Sequence, residues 1–308
     1  MKSVANQGGL IFTLDPHPLA ASLADKLGFE QGQSSQRLFP DGESYLRIDT
    51  PVQGRHCIVL AELSHPNRKY LPLVFLLQTL RELGATSVGL VAPYLSYMRQ
   101  DKRFAEGEAI TSRIFAQQLS AQIDWLVTVD PHLHRYHSLD EIYATPSRVV
   151  AGAPLLAGWL KGQANLLLVG PDAESEQWVS QIAAHSGQPF VIGAKQRFGD
   201  RDVRVTLPDL GPYHQHTAVV IDDVIASGQT ILKCIAALQT QGVERIKCAA
   251  VHGIFVGGVD AQLLAAGLEE LATTNTIVHS SNAMDITDLL LTPINECLQD
   301  QQKHHVND

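Results

Sequence analysis

The chain has 308 residues, 45% hydrophobic and 18% charged, which is the composition of globular material long enough for two domains. Lys and Arg number 23 against 32 Asp and Glu, a formal net charge of −9. That balance argues against a general nucleic-acid or acidic-membrane binder, which needs basic surface, yet it allows a small phosphorylated ligand held by a few cations and backbone amides. Cys57, Cys234, Cys248 and Cys297 lie far apart without a CxxC spacing. They read as buried thiols in a reducing compartment, not as a zinc or disulfide framework. The first nine residues lack the long apolar stretch of a signal peptide, and no run reaches the roughly 18 apolar residues of a membrane helix. The expectation is a soluble, cytoplasmic protein with neither nucleic acid nor membrane as a partner.

In chain order, short apolar runs alternate with segments of helical period. Residues 10–14 predict a strand and 19–27 a helix stopped by Gly28; 57–60 predict a strand and 71–83 a helix ended by Gly84. Strands at 88–92 and 125–129 flank a helix over 112–123. The pattern then restarts: helix 155–160, strand 166–169, helix 176–184, strand 190–192, strand 218–221, helix 230–238, strand 246–251, helix 262–268 and strand 274–278. Strands alternating with helices imply parallel sheets covered on both faces. Two doubly wound α/β domains follow, residues 1–148 and 149–298, with 299–308 as a polar, frayed tail.

Ligands of such sheets bind in the loops beyond the strands' carboxyl ends. The sharpest such segment is the apolar strand ending in Asp222 and Asp223, then Val224, Ile225, Ala226, Ser227, Gly228, Gln229 and Thr230. A small-residue turn entering a helix can wrap a phosphate with backbone N–H groups, while the acids face sugar hydroxyls. This segment resembles the phosphoribosyl-diphosphate loop of phosphoribosyltransferases and ribose-phosphate diphosphokinases. A second segment, after the strand at 88–92, gathers Arg99, Gln100, Lys102, Arg103 and Phe104, with arginine forks that suit phosphate oxygens. A third holds Phe39, Pro40, Asp41, Gly42 and Glu43, a turn signal beside a ring that can stack on a base. Asp130, Pro131 and His132 follow the strand at 125–129, and Asp172 stands at the matching point of the second half, where an acid can take magnesium through waters. The last segment, residues 193–201, carries Lys195, Arg197 and Arg201 among glycines that permit loop motion.

Taken together and in this order, the motifs resemble the ribose-phosphate diphosphokinase family, also called phosphoribosyl-diphosphate synthetases, over residues 39–277. The resemblance implies two domains of phosphoribosyltransferase-like (type I) fold, the first with ATP-binding elements and the second with the ribose 5-phosphate loop. It implies transfer of the diphosphoryl group of ATP to the C1 hydroxyl of ribose 5-phosphate, with Mg²⁺ as cofactor. By the same resemblance, Phe39, Asp41, Gly42, Glu43, Arg99, Gln100 and Arg103 bind ATP. His132 and Asp172 position the metal, and Lys195 and Arg197 are the catalytic pair of a mobile loop. Arg197, Asp222, Asp223, Ala226, Ser227, Gly228, Gln229 and Thr230 hold ribose 5-phosphate. A homo-oligomer, a dimer or a hexamer of dimers, with active sites shared between subunits is implied as well. The sequence departs from the family at Ala226, usually Asp or Ser; at Gln229, usually Gly or Ala; at Glu174 and Ser175, often a Gly pair; and at Gln196, often Arg. The alternatives are a phosphoribosyltransferase, or a non-catalytic regulatory homologue.

Overall fold

The computed structural model describes residues 8–197 and 203–307. By its contacts the chain divides into two compact units, the first running to Val150 and joined by the chain from Thr287 onward, the second spanning Ala151–Ile286.

The first unit begins with β1 (Leu10–Thr13), α1 (Leu19–Leu27), β2 (Glu30–Gln31) and a hairpin of β3 (Ser34–Leu38) and β4 (Ser44–Ile48). Then come β5 (His56–Leu60), α2 (Pro66–Glu82), β6 (Ser87–Ala92), α3 (Thr111–Ser120), β7 (Trp125–Val129) and β8 (Ser147–Val150). Six strands pair in parallel in the order β2-β1-β5-β6-β7-β8, and the hairpin stands apart as its own antiparallel ribbon. Strands such as β6, buried along their whole length, read as unbroken apolar runs because helices cover both faces.

The second unit contains α4 (Ala153–Leu160), β9 (Leu166–Gly170), α5 (Glu176–Ser186), β10 (Phe190–Ile192) and a hairpin of β11 (Ala194–Arg197) and β12 (Val203–Thr206). It continues through β13 (Thr217–Ile225), α6 (Gln229–Thr240), β14 (Ile246–Gly253), α7 (Val259–Ala265), β15 (Leu268–Thr274) and β16 (Asn282–Met284). Its parallel order is β10-β9-β13-β14-β15-β16. With the hairpins set aside, both sheets order their own strands second, first, third, fourth, fifth, sixth, and each hairpin is inserted between the second and third. The order reverses between β1 and β5 in one unit and between β9 and β13 in the other, which is where ligand crevices form in such sheets. Both units are thus the expected doubly wound α/β fold.

Two sequence expectations are corrected. The last strand of the second unit's apolar pattern is Leu268–Thr274, not 274–278, because α7 already stops at Ala265 and Gly267 turns the chain directly into the sheet. Residues 275–278 instead form a turn whose Asn275 N–H donates to the Met284 carbonyl. The frayed tail at 299–308 is also corrected: α8 (Thr287–Asn307) runs through most of it. Leu290, Ile294, Cys297 and Leu298 recur on its buried face, and Arg148 at the end of the first sheet reaches Glu296 (3.3 Å) and Asp300 (3.2 Å). That packing groups α8 with the first unit. Among the described residues, no helix is long and apolar enough to cross a membrane.

Candidate active site

In the first unit, the β3–β4 register pairs Leu38 with Ser44, leaving residues 39–43 as the hairpin tip. Phe39 N–H donates to the Glu43 carbonyl (2.8 Å) and Gly42 N–H to the Phe39 carbonyl (2.9 Å), with Gly42 at φ +92°. The Asp41 carboxylate accepts from the Glu43 N–H at 3.2 Å, so its first duty is to shape the turn. Phe39 stays 38% exposed. Its ring meets Tyr45 edge-on at 6.2 Å, and the Arg37 guanidinium lies 4.4 Å from the Phe39 centroid and 4.5 Å from that of Tyr45. A cation held across two rings fixes Phe39 at the tip of a projecting ribbon.

The cationic segment leaves the carboxyl end of β6. Arg99 is exposed, whereas Gln100 is tied down: its side-chain oxygen accepts from the Thr111 hydroxyl (3.1 Å) and its carbonyl from Ser112 N–H (3.3 Å). Arg103 donates through Nε to the Glu108 carbonyl at 2.9 Å, and Lys102 lies over the exposed Phe104 ring. The one acid in this segment, Asp101, is buried and pairs with Arg135 at 2.6 Å, and its carbonyl accepts from the Tyr136 hydroxyl at 3.2 Å. Asp101 thus joins the loop after β6 to the loop after β7, a role the sequence reading missed. The signal available was a lone carboxylate inside a basic run.

The loop after β7 is bent through two left-handed residues, Asp130 (φ +33°) and His132 (φ +57°). His132 Nε2 stands 2.6 Å from His134 Nε2, the rings edge to face. Also missed was Lys69, which bridges Asp15 beyond β1 (3.4 Å) and Glu62 beyond β5. It offsets part of the negative charge at the reversal point of this sheet.

In the second unit, Asp172 follows β9, and Asp222 and Asp223 lie near the end of the adjacent β13. The Asp223 N–H donates to the Asp222 carboxylate at 3.0 Å. Burial, with the charges of Asp223 and Asp172 adding to it, pushes Asp222 well above the ordinary carboxylate range. Burial, with the charges of Asp222 and Asp172 adding to it, raises the Cys234 thiol to about 12. Beyond β13 the chain turns through Ala226 and Ser227 to Gly228, the α6 N-cap, at φ +63°. A Cβ at Gly228 would lie 2.5 Å from a Val259 methyl, so both backbone angle and packing demand glycine. The first-turn N–H groups of α6 have no acceptor within the helix and carry the positive end of its dipole.

Lys195 and Arg197 stand on β11, opposite Val205 and Val203. Their side chains lie outside what the structure describes, as do residues 198–202, which include Arg201. Within this unit the fold gathers Asp172, Asp222, Asp223 and residues 226–230 at one sheet reversal. In the first unit, the loops after β6 and β7 leave neighbouring strand ends.

Residues 10–122 match the family model described as the N-terminal domain of ribose phosphate pyrophosphokinase, and residues 138–258 match the phosphoribosyl transferase domain. A ribose-phosphate pyrophosphokinase of Sulfolobus acidocaldarius is 31% identical over 258 residues, covering 82% of this chain and 87% of the relative. One from Methanothermobacter thermautotrophicus is 29% identical over 273 residues, covering 88% and 94%. The crystal structure of phosphoribosylpyrophosphate synthetase from Mycobacterium smegmatis superposes with a TM-score of 0.82, covering 96% of this chain and all of that one, at 24% identity. The chain belongs to the ribose-phosphate pyrophosphokinase family.

Proposed function

We propose that this protein transfers the β,γ-diphosphoryl group of ATP to the 1-hydroxyl of ribose 5-phosphate, giving 5-phosphoribosyl 1-diphosphate and AMP. The observation that supports it most is the second unit's phosphate loop, in which paired acids lie near the end of a buried strand and a left-handed glycine opens a helix. Backbone N–H groups of residues 226–230 take the 5-phosphate, with the Ser227 and Thr230 hydroxyls as further donors. The departures at Ala226 and Gln229 leave that binding intact, because peptide groups supply it. Asp222 and Asp223 accept hydrogen bonds from the ribose hydroxyls.

On the nucleotide side, Phe39 stacks on the adenine while Asp41, Gly42 and Glu43 shape the loop around it. Arg99, Gln100 and Arg103 contact the nucleotide. Lys195 and Arg197 neutralise the charge on the phosphoryl group as it moves, and Arg197 also contacts the sugar phosphate. Such a transfer needs positioning and charge neutralisation more than covalent participation by the protein.

The family's chemistry implies a divalent cation, and we assign magnesium. The carboxylates of the second unit fit it: hard oxygens, with Asp222 raised by burial and then by the charges of Asp223 and Asp172. Among the described residues, no three His, Cys, Asp or Glu side chains form a closed cage. A cation held by one or two carboxylates, waters and substrate oxygens suits that arrangement, with Asp172 as the proposed protein contact in this unit; in the first unit, His132 is proposed as a metal contact of its own. When bound, the ion offsets the triphosphate's negative charge. Residues 39–43 sit on a projecting hairpin, which supports a homo-oligomer whose hairpin completes a neighbour's site.

Phosphorus NMR of a mixture of protein, ATP, magnesium and ribose 5-phosphate tests the reading. AMP and a sugar diphosphate should appear in equal amounts. Formation of ADP, or no consumption of ATP, contradicts it.

A further inference from the structure

We propose that Phe255 is a positioning residue for the phosphate loop: its left-handed backbone and buried ring set the direction in which Ala226 and Ser227 present their N–H groups. The proposal rests on the reading of that loop as the ribose 5-phosphate site.

Strands β13 and β14 pair in parallel up to Ile225 and Gly253. Beyond that point the chain after β14 continues the contact with three consecutive donors. Ile254 N–H (2.9 Å) and Phe255 N–H (3.2 Å) both reach the Ile225 carbonyl, and Val256 N–H reaches the Ala226 carbonyl (3.0 Å). None of the described peptide bonds is cis. In a trans peptide the C=O and the following N–H point in opposite directions. Fixing the Ile225 and Ala226 carbonyls toward residues 254–256 therefore aims the N–H groups of Ala226 and Ser227 the other way. These are the first two donors of the loop.

Phe255, the middle one of these three donors, has φ +47°. A bulky side chain in that region is strained and persists only where its surroundings hold it. Here they do. The Phe255 ring is 8% exposed, lies over Gly253, where a Cβ would come within 2.3 Å of it, and meets the His279 ring at 4.5 Å. His279 is itself fixed, with Nδ1 2.8 Å from the Ser281 hydroxyl and Nε2 3.4 Å from Asp260. A phenylalanine serving only as filler could occupy this core from an unstrained backbone. The strained turn instead coincides with the donors that orient the loop. The same segment touches the loop a second time, through Val259 against Gly228.

The test compares Phe255→Ala, Phe255→Leu and, as a control on the loop itself, Gly228→Ala. Calorimetry with ribose 5-phosphate alone measures binding, and steady-state kinetics separates KM from kcat. Phe255→Ala should weaken ribose 5-phosphate about tenfold, or about 1.4 kcal/mol. The KM for ATP, and kcat at saturating sugar phosphate, should stay within about twofold. Phe255→Leu keeps apolar volume but loses the flat ring, so it should show a smaller loss of the same kind, and it carries the test if the alanine variant does not fold. Gly228→Ala should abolish sugar-phosphate binding. If it does not, the reading of the loop fails and the proposal with it. If it does, yet both Phe255 variants bind ribose 5-phosphate normally or lose ATP equally, the positioning role alone is overturned.

Discussion

Asp222→Asn should make the fold more stable and the enzyme worse. Asp222 lies on a buried strand beside two further carboxylates, and burial together with the charges of Asp223 and Asp172 raises its affinity for a proton. Its folded-state pKa is above the unfolded value near 3.9. Its contribution to stability is therefore fully present below that value and is lost as pH rises through the folded pKa. The folded protein thus carries a penalty that grows as the pH rises above the unfolded value. Asparagine removes the charge and still accepts from the Asp223 N–H, which now reaches an Asp222 oxygen at 3.0 Å. Relief of this kind is typically worth about 1 kcal/mol. For a unit of this size that corresponds to roughly 4 °C in Tm. Ribose 5-phosphate should meanwhile lose a charge-assisted hydrogen bond worth about 1.5–3 kcal/mol, a weakening of roughly 10- to 100-fold, with ATP little affected. Thermal melts from pH 5 to 8, with and without ribose 5-phosphate, read both effects. The variant's lead in Tm should be largest at pH 8 and shrink toward pH 5. A variant less stable at pH 7.5, or a lead independent of pH, would refute the assignment of Asp222 as a strained carboxylate.

Lys195→Ala should lower kcat by at least ~10²-fold with little change in substrate affinity, as measured by steady-state kinetics, because the charge acts on the transition state. Phe39→Ala should raise the KM for ATP by roughly tenfold, since base–aromatic stacking is worth about 1–3 kcal/mol. Arg37→Ala, which removes the cation bridging Phe39 and Tyr45, should do the same more weakly and leave ribose 5-phosphate unchanged. Asp41→Ala and Lys195→Ala proteins, each inactive, should regain partial activity when unfolded and refolded together. No recovery, with mixed oligomers verified by mass spectrometry, would place both groups in one subunit.

What the sequence could disclose was set by where the apolar pattern was strong. The central strands β6, β7, β9 and β13 each carry a buried apolar stretch, Val88–Ala92, Trp125–Val127, Leu166–Val169 and Ala218–Ile221, and that signal was strong. In the β3 and β4 ribbon, β3 is polar through Ser34, Ser35, Gln36 and Arg37, and apolar alternation is confined to Leu46 and Ile48 of β4, so only its turn was readable. The helix at Thr287–Asn307 was hidden by its polar end, and its middle is held partly by Arg148, which reaches Glu296 and Asp300. The phosphate loop was visible as a local string, Asp222 to Thr230. Its supports were not: Phe255 and Val259 come from the next crossover, and only the fold brings them against Ile225 and Gly228. Likewise, nothing local marks Arg135 as the partner of Asp101, 34 residues earlier.

The most direct test of the whole account follows the β-phosphorus of ATP. With ATP labelled at that phosphorus and incubated with protein, magnesium and ribose 5-phosphate, the label should leave with the sugar as 5-phosphoribosyl 1-diphosphate, and the AMP should be unlabelled. Label retained in ADP, or ATP left intact while a nucleobase is converted to its nucleotide, would contradict diphosphoryl transfer.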